Sequence, residues 1–97
     1  MGQQATSLRH PFNRKLTFEN VSWEKLSNVP IEQLVCAGFY YSGPGDLVRC
    51  AYCNVAIQGW ADEDDPLQQH IRVSPRCEFV LKLQKNITAL HADSPNM

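Results

Sequence analysis

The stretch CAYCNVAIQGWADEDDPLQQHIRVSPRC, residues 50 to 77, places Cys50 and Cys53 with two residues between them, His70 after a further sixteen and Cys77 after six more. Three thiols and one imidazole form a donor set that suits zinc, an ion that favours tetrahedral sulfur and nitrogen coordination and brings no redox chemistry. Two intervening residues let the sulfurs of Cys50 and Cys53 turn to one point on a knuckle between two strands. Four protein ligands leave no position for water or substrate, so the metal reads as structural. The bland alternative is a group of unrelated buried cysteines with a surface histidine. A zinc hydrolase is a further alternative, but it needs an open coordination position and a carboxylate base, and this ligand set leaves none. Cys36, the fourth cysteine, could replace one ligand; beside Ala37 and Gly38 it reads instead as a small core or half-buried residue.

The local patterns around this motif predict where its ligands lie. Leu47-Val48-Arg49-Cys50-Ala51-Tyr52 alternates as a strand does, and Val55 to Trp60 supplies a strand to pair back on it, giving a small antiparallel sheet. Asp65-Pro66-Leu67-Gln68 combines an N-cap, a proline at the first helical position and a glutamine three after the cap, which places His70 on a short helix. Ser74-Pro75 repeats the cap-then-proline device and predicts a second helix through Cys77, Val80 and Leu81 towards Lys85. Upstream, Pro30 to Gly38 reads as a short helix with proline in its first turn and glycine as its stop, and Ser42-Gly43-Pro44-Gly45-Asp46 is a dense turn signal. Asn13 to Leu26 carries Leu16, Phe18, Val21, Trp23 and Leu26 at spacings that suit short helical turns on a core.

At 97 residues the chain is one domain, of a size at which a hydrophobic core alone gives marginal stability and a metal staple is useful. The folded unit is expected over residues 12–85, with polar tails at 1–11 and 86–97 that hold His10 and His91 as solvated histidines. A net charge of -1 with scattered Lys and Arg offers no basic stripe for a phosphate backbone, so nucleic acid is not an expected partner. Apolar runs such as Leu34 to Tyr41 are far shorter than a membrane span, and no secretory pattern opens the chain. The expected location is therefore the cytoplasm, where four cysteines serve a metal more readily than disulfides. Met1-Gly2-Gln3-Gln4-Ala5-Thr6 fits the pattern for acylation of Gly2, the one route by which a membrane would become a partner. Asn86-Ile87-Thr88 is a glycosylation sequon by pattern, discounted without a secretory signal.

Taken together, Ala37-Gly38-Phe39-Tyr40-Tyr41, Gly45-Asp46, Val48-Arg49-Cys50-x2-Cys53, Trp60, Asp64-Asp65-Pro66, His70 and Ser74-Pro75-x-Cys77-x-Phe79 resemble the baculoviral IAP repeat (BIR) signature. Arg14 and Phe18 resemble the opening of that signature, whereas Val21 stands where an aromatic is usual and Val21 to Val29 departs from the pattern. The resemblance implies an α+β fold, a three-stranded antiparallel sheet surrounded by short helices, with one structural zinc on Cys50, Cys53, His70 and Cys77. It implies a protein-interaction module of an inhibitor-of-apoptosis protein and not an enzyme. No RING pattern of cysteines is present in these residues.

Members of the family resemble a peptide clamp when an extended Ala-start tetrapeptide from a caspase or its activator adds a strand to the sheet edge. By that resemblance the groove positions here are Ile57, Trp60, Asp64, Gln69, Val73 and Ser74. Trp60, Asp64 and Gln69 suit the task, one as an apolar wall and two as acceptors near an ammonium. Val73 and Ser74 are small where two large aromatics would close the groove, and Val73-Ser74-Pro75 resembles a first-position BIR, whose partners are adaptor proteins or a second copy of the domain. The plain alternatives are Trp60 as a cap on the core, residues 62–65 as a solvated acidic loop, and Arg72 and Arg76 as surface charges.

Overall fold

The computed structural model describes residues 7–92, with side chains as far as Lys85. The candidate acylation segment around Gly2 and the side chains of Asn86 and His91 lie outside this range. Helix α1 spans Pro11–Leu16, a 3₁₀ turn covers Trp23–Lys25, and α2 spans Ile31–Cys36. Strands β1 (Phe39–Tyr41), β2 (Val48–Cys50) and β3 (Ala56–Ile57) follow, then α3 (Pro66–Val73) and α4 (Glu78–Ala92). The sheet is antiparallel in the order β1-β2-β3, with Phe39 opposite Cys50 and Val48 opposite both Tyr41 and Ile57.

Period-two alternation shows in β2, where Val48 and Cys50 are buried and Arg49 between them is half-buried, its guanidinium donating to the carbonyl of Asn54 at 3.1 Å. Both expected strands are shorter than their apolar patterns suggest, for a visible reason. Asn54 at φ 68° turns the knuckle, and Gly59 at φ 74° turns the chain away again after Ile57. The Asp46 carboxylate then accepts the amides of Gly59 and Trp60, each at 2.9 Å, so those residues serve a loop clamp and not a ladder.

Helix α2 starts after Pro30 and ends at Gly38, whose φ of 94° is a left-handed stop that favours glycine. A Cβ there would also stand 2.9 Å from the Phe79 ring, so Gly38 sets how closely α4 approaches the sheet. Cys36 falls on the outer face of α2 while Leu34 and Val35 face in, so it is exposed and not the half-buried core residue expected.

Both ends depart from the expected limits. His10 is exposed but not merely solvated: its Nδ1 accepts the amide of Phe12 at 3.2 Å and caps α1, with Pro11 in the first turn. Tyr52 and Arg14 hold the backbone carbonyls just before it, the latter at Leu8 and Arg9. At the other end α4 runs on to Ala92, beyond Lys85.

Thr17 joins α1 to the sheet, its hydroxyl donating to the carbonyl of Arg14 at 2.6 Å and accepting the amide of Tyr41 at 2.7 Å. The core beneath contains Phe39, Leu34, Val29, Val48 and Val80, all essentially inaccessible. Trp23 meets Phe18 edge-on at 5.3 Å and donates its indole N–H to the carbonyl of Val29 at 2.7 Å. No described helix is long and apolar enough to cross a membrane.

Candidate functional site

Cys50 ends β2, Cys53 sits on the knuckle, His70 lies within α3 and Cys77 stands immediately before α4. Their ligand atoms all lie within 4.8 Å of one another, and Cys50, His70 and Cys77 are buried while Cys53 is partly exposed. The Cys50 and Cys77 sulfurs are 3.8 Å apart, and the Cys53 sulfur is 3.6 Å from His70 Nε2. A regular tetrahedron with Zn–S of about 2.3 Å and Zn–N of about 2.05 Å has S–S edges near ~3.8 Å and S–N edges near ~3.6 Å. The four residues therefore fit a zinc ion by donor chemistry and by these two edges.

The surroundings prepare each donor. His70 Nδ1 lies 2.8 Å from the carbonyl of Ala37 and donates to it, which leaves Nε2 as the free donor on the cluster side. Phe39 packs against the His70 ring at 4.6 Å, with Phe79 further out at 6.5 Å, so the imidazole is wedged and wholly buried. Cys50 Sγ accepts the amides of Tyr52 at 3.2 Å and Cys53 at 3.4 Å. Three thiolates around a divalent ion leave one net negative charge, which such donors spread.

Ser74 is where the local sequence pattern misleads most. It was expected to cap the helix bearing Cys77, yet that helix begins at Glu78, with Cys77 before it accepting the amide of Leu81 at 2.9 Å. Ser74 closes α3, and its hydroxyl donates to Cys53 Sγ at 3.2 Å. A sulfur carrying negative charge is a stronger acceptor than a neutral backbone group, so the hydroxyl serves the metal centre. Asp65 does cap α3 as expected, accepting the amides of Leu67 and Gln68 at 3.0 and 3.4 Å.

The thiols differ in their readiness to bind metal. Burial pushes the Cys50 thiol up, and burial pushes Cys77 to about 11. Burial also opposes ionisation of Cys53, but hydrogen bonds onto its sulfur, from the Ser74 hydroxyl first and from the Val55 amide, outweigh it and hold that thiol at about 6. A folded metal-free site at pH 7.5 therefore has one thiolate and two thiols, and would release two protons on taking zinc. A chain that unfolds without its metal has three ordinary thiols with pKa near ~8.5 and releases close to ~3. Calorimetry in buffers of different ionisation heat should count close to three, and zinc affinity should fall about a thousandfold as the pH drops from 7.5 to 6.5. A count of two would mean that the site persists empty.

The six positions expected to form a groove lie around β3, the loop after it and α3. Ile57 is half-buried on β3, an edge strand whose outer side carries no further strand among the described residues. Trp60 is 8% exposed and packs edge-on against Phe39 at 5.9 Å, and its indole N–H meets no hydrogen-bond partner among the described residues. One oxygen of Asp64 accepts the amide of Ala61 at 2.8 Å, folding the acidic loop on itself. Gln69 is half-buried on α3, Val73 is 49% exposed, and Ser74 is turned to Cys53. Sequence reasoning missed the Ala37 carbonyl, the Asp46 clamp and the Ser74–sulfur bond, because no local periodicity encodes such pairings.

The family model described as Inhibitor of Apoptosis domain, BIR, matches residues 14–81, well over half of the chain. The chain belongs to the BIR family. A BIR domain is a non-catalytic binding module, and the Cys50, Cys53, His70 and Cys77 cluster is its structural zinc site. The domain is 37% identical over 86 residues to Baculoviral IAP repeat-containing protein 3 of Canis lupus familiaris, covering 87% of this chain and 14% of that protein. It is 42% identical over 64 residues to Baculoviral IAP repeat-containing protein 1g of Mus musculus, covering 66% of this chain but 5% of that protein. Its fold is similar to that of DIAP1 BIR1 bound to a Grim peptide, with TM-score 0.66 and 36% identity over 74% of this chain and 71% of that one. The autoinhibited dIAP1-BIR1 domain is similar at TM-score 0.67 and 35% identity, over 74% and 73% of the two chains. This BIR domain thus spans a small fraction of the curated relatives it matches, and it resembles a first-position BIR.

Proposed function

We propose that this BIR domain is a cytoplasmic scaffold of an inhibitor-of-apoptosis protein, docking a signalling adaptor or a second copy of the domain, and that its peptide groove is incomplete. The observation that carries this reading is the fate of the second groove wall. Val73 is 49% exposed and too small to cover a peptide, and the Ser74 hydroxyl is engaged with Cys53 Sγ at 3.2 Å. A missing aromatic at an interface centre typically costs at least ~2 kcal/mol, roughly thirtyfold in affinity.

A second reading, an Ala-start peptide clamp that engages caspases or their activators, draws support from two observations. The outer side of β3 at Ala56–Ile57 pairs with no described strand, as strand addition requires. The domain also resembles DIAP1 BIR1, solved with a Grim peptide. In this reading Ile57 and Trp60 line the groove, while Asp64 keeps one carboxylate oxygen for the terminal ammonium and Gln69 adds an acceptor.

Titration calorimetry of the zinc-loaded domain with a free-N-terminus Ala-start tetrapeptide separates the two, an N-acetylated copy serving as control. The scaffold reading predicts no heat of binding at about 100 μM peptide, and an adaptor complex or dimer that survives Asp64→Ala. Micromolar binding abolished by acetylation would hand the function to the clamp.

A further inference from the structure

We propose that Cys53 is a modification site, the zinc thiolate that soft electrophiles reach first, and that the Ser74 hydroxyl restrains its reactivity. Unequal access is the first ground. Cys50 and Cys77 are 1% and 4% exposed and His70 is sealed, whereas Cys53 on the knuckle is partly exposed. The second ground is how the sulfurs are held. Backbone amides serve all three sulfurs, those of Tyr52 and Cys53 at 3.2 and 3.4 Å on Cys50 and that of Val55 on Cys53, but among the three Cys53 also accepts a rotatable hydroxyl, that of Ser74 at 3.2 Å.

The chemistry follows from the thiolate's electron pair, which is what attacks an electrophile. With iodoacetamide, the Cys53 sulfur forms a bond to the methylene carbon as the carbon–iodine bond breaks and iodide leaves. The product is a neutral thioether, a much weaker zinc donor, so the tetrahedral set falls to three and the ion is released. A hydroxyl that donates to the sulfur draws on the same electron pair and lowers its nucleophilicity. Ser74, which closes α3 one turn after His70, thereby couples the end of a ligand-bearing helix to the reactivity of a ligand on the knuckle.

The test uses the zinc-loaded chain with iodoacetamide in excess, following zinc release with a metallochromic dye and mapping labelled cysteines by peptide mass spectrometry. Exposed Cys36 should alkylate without releasing zinc, giving an internal standard for the reagent. In the wild type, Cys53 should be labelled before Cys50 and Cys77, in step with zinc release. Ser74→Ala should raise the reagent-dependent rate constant about three- to tenfold, and Ser74→Thr, which keeps the hydroxyl, should restore it, with the Cys36 rate unchanged. The rate extrapolated to zero reagent separates spontaneous metal loss from modification. Labelling of Cys50 or Cys77 ahead of Cys53, or equal reagent-dependent rates for wild type and Ser74→Ala, would overturn the proposal. The order of labelling in the wild type decides the matter even should a variant fold poorly.

Discussion

Removing zinc from this domain with excess EDTA should abolish its cooperative thermal unfolding, and His70→Ala should do the same with zinc present. The reason lies in what the metal joins. Cys50 and Cys53 come from the sheet and its knuckle, His70 from α3 and Cys77 from the approach to α4, so one ion ties the sheet to both helices. Structural zinc in small domains supplies apparent free energies of about 10–16 kcal/mol, comparable with or larger than the whole stability of a typical domain, about 5–15 kcal/mol. His70→Ala would also open a void between Phe39 and Phe79 where a fully buried ring now stands. Near-ultraviolet circular dichroism during EDTA addition and zinc return checks this. A melting temperature that moves only a few degrees would show that the core holds without its staple.

Arg14→Ala should destabilise the domain by about 3–5 kcal/mol, lowering the melting temperature by roughly 15–30 °C. Arg14 is 2% exposed, and its charge is met by carbonyl oxygens. Nε and Nη2 donate to Val35 at 3.0 and 2.6 Å, and Nη1 donates to Leu8 and Arg9 at 3.2 and 3.0 Å. The guanidinium lies over the Phe79 ring at 5.4 Å, so one side chain links the N-terminal segment, α2 and α4. Burial pulls its pKa down, a sign that the protein spends free energy to keep it charged there. Arg14→Lys should recover little, since an ammonium cannot span carbonyls on both sides of a planar fork. Lys15→Ala is the control: its bond to Glu32 at 3.2 Å joins two largely exposed side chains and should contribute less than ~1 kcal/mol. Differential scanning calorimetry that finds the Arg14 and Lys15 variants melting together would refute this account.

Those two results divide what the sequence reveals from what it conceals. The zinc set is legible because ligand chemistry and spacing constrain each other, and two cysteines on a knuckle need no distant partner to be recognised. The Asp65 cap and the Gly38 stop are legible too, since each acts within one helical turn. Ser74 shows the limit: Ser74-Pro75 has the local form of a cap, but a sulfur from residue 53 competes for the hydroxyl and wins. Cys36 shows another, because the face a short helix buries depends on what packs there. Strand β1 was implied by the family resemblance and not by alternation, for at three residues it is too short to carry a period. The weight carried by Arg14 was hidden because its carbonyl partner at Val35 lies 21 residues away.

The claim on which the rest depends is that this domain is a docking module built on a closed zinc centre. Zinc K-edge X-ray absorption on the loaded domain tests it most directly. The account predicts three sulfur scatterers at about 2.3 Å and one nitrogen at about 2.0–2.1 Å, with no light-atom ligand left over for water. Fewer than three sulfurs, or an added oxygen in a five-coordinate shell, would contradict it.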